Sequence, residues 1–141
     1  MKFWDSSALI PLFIEEPTSG LVAQWLGGDP AIAVWALTRI EMLSALERRR
    51  RDAAGSRSHI VSARRELVRL SGFWTVITDI DRVCLHAERL LQDYPLRAAD
   101  ALQLGAAIVA ANDHPASLDF VTFDRRLADA AGREGFSVLP K

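Results

Sequence analysis

Short apolar runs alternate along this chain with stretches of helical periodicity, and that alternation limits the fold more than any other feature. Met1 to Trp4, Ala31 to Trp35, Phe73 to Ile77, Phe120 to Phe123 and Phe136 to Leu139 are apolar almost without interruption. A strand with one face in water alternates apolar and polar residues, whereas a strand covered on both faces need not. The segments between the runs are long enough for helices. The expectation is a single α/β domain over residues 1–141, with a central, mostly parallel sheet of about five strands, right-handed crossovers and helices on both faces.

Local signals divide the chain further. Ser6 or Ser7 is placed to cap a helix over Ser7 to Ile14, ended by Glu15-Glu16-Pro17, since a proline disfavours helix just before itself. Thr18 or Ser19 opens a second helix through Leu26, and Gly27-Gly28-Asp29-Pro30 reads as a turn. Thr38 opens a third, with Ile40, Leu43 and Leu46 as its apolar face, running on into Arg48-Arg49-Arg50-Arg51. Gly55-Ser56 separates it from a partner helix, Ser58 to Leu70, carrying Ile60, Val61, Leu67 and Leu70, which together form a helical hairpin. Asp79 or Asp81 caps a helix with Val83, Leu85, Ala87, Leu90 and Leu91, ended by Tyr94-Pro95. Leu96 to Ala111 is alanine-rich and apolar nearly all round, as expected of a central buried helix. Asp124 precedes a short helix, Arg125 to Ala131.

The composition is that of an ordinary soluble globule, with 50% apolar and 25% charged residues in 141 and a net charge of -1. No global positive field draws in nucleic acid. Of seventeen basic residues all are arginine except Lys2 and Lys141, and many of the arginines gather between Arg48 and Arg69. Most of these read as a solvated helix face; the other reading is a local phosphate-binding patch. The lone cysteine, Cys84, excludes an internal disulfide and a cysteine metal cluster, and reads as a buried thiol. No apolar stretch is long enough to span a bilayer and Met1 leads straight into a strand, so a cytoplasmic protein without a membrane contact or signal peptide is expected.

The chemistry lies in the acids. Asp5, Glu41 and Asp124 each follow a strand and open a helix, so all three belong at the carboxyl edge of the sheet, where ligands of parallel sheets bind. Asp100 begins the buried helix among Ala98, Ala99, Ala101 and Leu102, where a carboxylate without a partner is costly. Each acid also has a structural explanation, because helix N-termini stabilise carboxylates. For Glu41 alone that explanation leads, since Thr38-x-x-Glu41 has the form of a capping box. Together the acids need a counter-charge, and no lysine lies nearby in sequence except Lys2. His59, His86 and His114 lack metal-ligand spacing with them. An all-oxygen site suits Mg²⁺ or Mn²⁺ and, with it, hydrolysis of a phosphodiester. Two other classes share an acidic α/β pocket. An aspartate-dependent phosphatase wants a second aspartate where Ser7 stands. A receiver-type signalling module wants an acceptor after a middle strand, a place Asp79 imitates, and a lysine after the last strand, where only Lys141 occurs.

Phe3-Trp4-Asp5-Ser6-Ser7-Ala8-Leu9, Thr38-x-x-Glu41-x-x-Ser44-Ala45-Leu46, Leu96 to Leu104 around Asp100, and Phe120-Val121-Thr122-Phe123-Asp124 resemble the PIN-domain ribonucleases, in particular the VapC-type toxins of bacterial toxin–antitoxin pairs. The resemblance spans nearly the whole chain in the family's order. It implies a metal-dependent endoribonuclease in which Asp5, Glu41 and Asp100 bind one or two Mg²⁺ or Mn²⁺ ions and Asp124 completes the site. Asp119 is the other candidate for the fourth place, but it precedes its strand and belongs at the opposite edge. The resemblance also implies that Ser6 and Thr122 line the site, that a VapB-type antitoxin neutralises the protein, that RNA is the substrate, and that the chain forms a homodimer. The arginine-rich hairpin, Arg48 to Arg69, is the sequence's candidate for holding RNA phosphates.

Overall fold

The computed structural model describes residues 1–52 and 57–141. Five strands form one sheet: β1 (Lys2–Trp4), β2 (Ile32–Trp35), β3 (Thr75–Ile77), β4 (Asp119–Val121) and β5 (Ser137–Leu139). Their order is β3-β2-β1-β4-β5, and every pairing is parallel. In the central pair Lys2 stands beside Asp119 and Trp4 beside Val121.

Successive strand residues point to opposite faces, and this divides the core in two. Phe3, Ala33 and Phe120 face a cluster completed by α5 (Ile80–Asp93), α6 (Ala98–Ala110) and α7 (Arg125–Arg133). Phe3 and Phe120 stack there with ring centroids 5.5 Å apart. Trp4, Val34 and Val121 face the other cluster, completed by α1 (Ser6–Leu9), α2 (Ser19–Gly28), α3 (Thr38–Asp52) and α4 (Arg57–Leu70). The helices therefore cover both faces, which is why β1, β2 and most of β4 carry no polar side of their own. Gly105 lets α6 lie against α5: a Cβ on it would stand 2.8 Å from the Val83 carbonyl oxygen.

Several local expectations are corrected. The cap of α1 is Asp5, whose side chain accepts from the Ser7 N–H, and neither serine serves. The helix expected through Ile14 stops at Leu9 and tightens into a 3₁₀ turn over Ile10–Leu12, because Pro11 has no N–H to continue the α-helical ladder. Helix α2 runs on through both glycines of the expected turn. The buried stripe of α3 is Thr38, Met42 and Leu46, with Ile40 62% exposed; a threonine can take a core position when its hydroxyl finds a partner inside. In α4 Ala63 replaces Val61, which is 48% exposed, and in α5 Leu85 and Leu91 face outward. Cys84 is only half-buried. Phe73 belongs to a 3₁₀ turn before β3 and is exposed, as suits an edge strand paired on one side only. The expected Gly55-Ser56 break lies outside the described residues. Among the described residues no helix is long and apolar enough to cross a membrane.

Candidate active site

The strand order places the site. β2 and β3 are added on one side of β1, β4 and β5 on the other. Helix α1 leaves β1 toward one face and α7 leaves β4 toward the other, so a crevice opens beyond the carboxyl ends of these two strands. Asp5 and Asp124 stand on its two sides. Asp119 is the first residue of β4, beside Lys2, and so belongs to the opposite edge. Lys2 is directed there too, toward Asp29 at 3.5 Å, and lends the acids no charge.

A hydroxyl network joins the two strand ends. The Asp5 N–H donates to the Val121 carbonyl at 3.0 Å. The Asp5 carboxylate, almost fully buried, accepts from the Ser7 N–H at 3.3 Å, from the Ser7 hydroxyl and from the Thr122 hydroxyl at 3.0 Å. Ser6 reaches it only at 3.4 Å. The same two close hydroxyls then accept from the segment after β4: Ser7 Oγ from the Phe123 N–H at 3.1 Å, and Thr122 Oγ1 from the Asp124 N–H at 3.0 Å. Asp124 itself caps α7, accepting from the Leu127 N–H at 2.9 Å.

Glu41 is approached from α6. Gln103 Nε2 donates to Glu41 Oε2 at 2.9 Å, and Gln103 Oε1 accepts from the Thr38 hydroxyl at 3.3 Å. The capping box that the Thr38-x-x-Glu41 spacing allowed is therefore not made: the threonine hydroxyl and the glutamate carboxylate both turn to Gln103. Burial pushes the Glu41 carboxyl above its ordinary value. Hydrogen bonds from Gln103 and Ser6 oppose this, and the charges of Asp5 and Asp100 add to it. Asp100, at the third position of α6, is likewise pushed up by burial and by the charge of Asp124. The Arg97 N–H opposes this, Asp5 adds to it, and the Arg97 guanidinium weakly opposes it. All four predicted acids thus share one electrostatic site. Asp100 and Asp124 also line a cleft of about 540 Å³ with Arg97, Arg125 and Arg126.

Among the described residues, no three acids, histidines or cysteines already sit close enough together to enclose an ion, and the carboxylates of Asp5, Glu41 and Asp124 are turned toward the chain's own donors. The donor set still fits a hard divalent cation. It is all oxygen and partly desolvated, and burial together with the neighbouring carboxylates raises Glu41 and Asp100. The histidines stay apart: His86, for one, pairs with Asp113 at 2.9 Å.

Two residues escaped the sequence reading. Ser7 was considered only as a cap, yet it holds Asp5 more closely than Ser6 does; its spacing of two from an acid at a strand end was the available signal. Gln103 lies within a helix that the sequence presents as apolar nearly all round. It is 1% exposed, and a buried amide one turn after an acid demands a polar partner.

The PIN domain profile matches residues 2–133. The chain is 29% identical to Ribonuclease VapC45 of Mycobacterium tuberculosis, over 99% of this chain and 95% of that protein. Among solved structures it resembles a toxin–antitoxin complex from Klebsiella pneumoniae, with a TM-score of 0.67, 18% identity and 91% of each chain covered. It also resembles FitAcB from Neisseria gonorrhoeae, with a TM-score of 0.65, 17% identity, and 98% of this chain and 96% of that one covered. At these identities the structural likeness concerns the fold.

Proposed function

The chain belongs to the PIN-domain family, and from that membership we propose that it is a metal-dependent endoribonuclease, the toxin of a toxin–antitoxin pair. The observation that carries the reading is the convergence of Asp5, Glu41, Asp100 and Asp124 beyond the ends of β1 and β4, with two of their carboxyls raised by burial and by one another. Such a cluster is unfavourable in the free protein and becomes favourable around a divalent cation. The names of the relative and of the Klebsiella complex, a ribonuclease and a toxin–antitoxin assembly, support the same activity and an antitoxin partner.

Each residue has a task in this reading. Asp5, Glu41, Asp100 and Asp124 would hold Mg²⁺ or Mn²⁺. The bound ion supplies the Lewis acidity that turns water into a nucleophile and offsets charge on the scissile phosphate. Ser7 and Thr122 fix the Asp5 carboxylate between the two strand ends. Gln103 fixes the rotamer of Glu41. Ser6, whose hydroxyl bears on both Asp5 and Glu41, steadies the pair. The protein would form a homodimer, as the family resemblance implies, and would work in the cytoplasm, the reducing compartment that its single cysteine suits. Neither alternative gains from the structure: Asp79 spends its carboxylate capping α5, accepting from the Arg82 N–H at 3.2 Å, and Ser7 serves Asp5.

The test is cleavage of total cellular RNA by the purified protein with Mn²⁺, beside Asp100→Asn and a chelator control. Discrete fragments from the parent alone, abolished by the chelator, are expected. Equal cutting by both proteins would overturn the assignment.

A further inference from the structure

Helices α6 and α7 begin with arginines where a helix is better served by an acid or a hydroxyl. Arg97 is the N-cap residue of α6 and makes no side-chain capping bond. Arg125 and Arg126 are the first two residues of α7. A cation in the first turn opposes the helix dipole, and arginine is a poor N-cap. All three side chains are exposed and line the one cleft that also holds Asp100 and Asp124. Among the described residues none of the three forms an ion pair, even with those acids. In the arginine-rich hairpin, by contrast, Arg49 pairs with Glu16, Arg50 and Arg64 with Glu47, and Arg69 with Glu66. Much of the hairpin's charge is spent internally. The charge beside the acids is not.

We propose that Arg97, Arg125 and Arg126 form a subsite for RNA backbone phosphates flanking the bond that is cut, holding the strand on the Asp100–Asp124 side of the site. The inference rests on the ribonuclease reading above. A cluster of carboxylates repels a polyanion, so phosphates on either side of the scissile one need cations of their own. The guanidinium fork meets a phosphate through two parallel hydrogen bonds and stays charged at any working pH. An acidic protein segment is the weaker occupant, because Asp100 and Asp124 share the cleft. RNA brings ribose hydroxyls that can donate to those carboxylates, whereas the side chains of an acidic segment bring only further carboxylates.

The experiment compares the parent with the triple variant Arg97→Gln, Arg125→Gln, Arg126→Gln. Affinity for a short fluorescent single-stranded RNA is measured across a salt series, with Ca²⁺ in place of Mn²⁺ to offset the acids. The variant is expected to bind about tenfold or more weakly at low salt. Its plot of log affinity against log salt should be shallower by about two, since each lost phosphate contact on a single strand removes about 0.7 from the slope. Its melting temperature should hold or rise, because three unfavourably placed cations are gone; a purely structural role would lower it. The corresponding triple lysine variant should keep most of the salt slope and lose part of the affinity. Unchanged affinity and slope in the glutamine variant would overturn the subsite, as would a parent that does not bind RNA. Retained RNA affinity with lost binding of an acidic peptide would overturn it as well. Cleavage is scored separately: a parent that cuts RNA and a variant that binds and cuts equally well would remove the subsite and leave the ribonuclease reading standing.

Discussion

Gln103 holds Glu41 and Thr38 at once, donating to the carboxylate at 2.9 Å and accepting from the hydroxyl at 3.3 Å. The amide is buried, so each of its two ends must be satisfied, and both ends reach the first turn of α3. Gln103→Leu keeps the volume and removes both bonds. Cleavage is expected to fall by about ten- to a hundredfold, the usual effect of losing the partner that orients a metal-binding group. Stability is expected to fall by about 1–3 kcal/mol, since the Thr38 hydroxyl loses its buried partner. Parallel kinetics and denaturant unfolding check both. Full activity in a folded variant would mean that Glu41 needs no help from α6.

Ser7 and Ser6 separate cleanly. Ser7 both donates to Asp5 and accepts from the Phe123 N–H, whereas Ser6 lies 3.4 Å from Asp5. Ser7→Ala should cost about 1–3 kcal/mol, because it leaves a backbone N–H unsatisfied beside a buried carboxylate. It should also reduce cleavage more than Ser6→Ala does. Equal effects of the two substitutions would argue against the network.

Asp100 has a raised carboxyl, and the sign of its pH effect follows. Below the ordinary range of the group it is protonated in folded and unfolded chains alike and contributes no difference. As pH rises through the raised folded value, the unfolded chain releases this proton more readily, so the parent loses stability that an amide would not. Metal-free Asp100→Asn should therefore melt above the parent at neutral pH. The gain should vanish in acid. Mn²⁺ should raise the melting temperature of the parent at neutral pH and raise that of the variant much less. A variant that melts below the parent at neutral pH contradicts this account.

Gly105 tests the packing beneath the site. A Cβ there would meet the Val83 carbonyl oxygen at 2.8 Å and the Ala87 nitrogen at 3.3 Å, both in the backbone of α5. Neither can step aside as a flexible side chain would. Gly105→Ala should destabilise by about 1–3 kcal/mol despite alanine's higher helix propensity. Because α6 also carries Asp100 and Gln103, cleavage should fall with it; a stability gain on thermal unfolding would refute the close approach.

The sequence by itself determined the layered fold and where the acids stand in it. Short continuous apolar runs between turn signals suit strands covered on both faces, as β1, β2 and most of β4 are, and an acid that directly follows such a strand emerges at the carboxyl edge of a parallel sheet. Asp5 and Asp124 were placed at that edge for this reason, Glu41 because the helix after β2 opens there, and Asp100 was singled out because a carboxylate at the start of an apolar helix is costly without a partner. The tertiary structure decided what each acid touches. Thr38-x-x-Glu41 is compatible with a local cap, but the helix that passes beside it brings Gln103 to compete for both groups, and that contact spans 62 residues of sequence. The choice of Ser7 over Ser6 depended on the segment that follows β4, whose Thr122 and Phe123 are more than a hundred residues away. The buried faces of α3 and α4 were misassigned for a related reason. Periodicity reports that a helix has an apolar side, but only the position of the sheet edge decides that Ile40 lies beyond it and that Thr38, with Gln103 to receive its hydroxyl, can lie within.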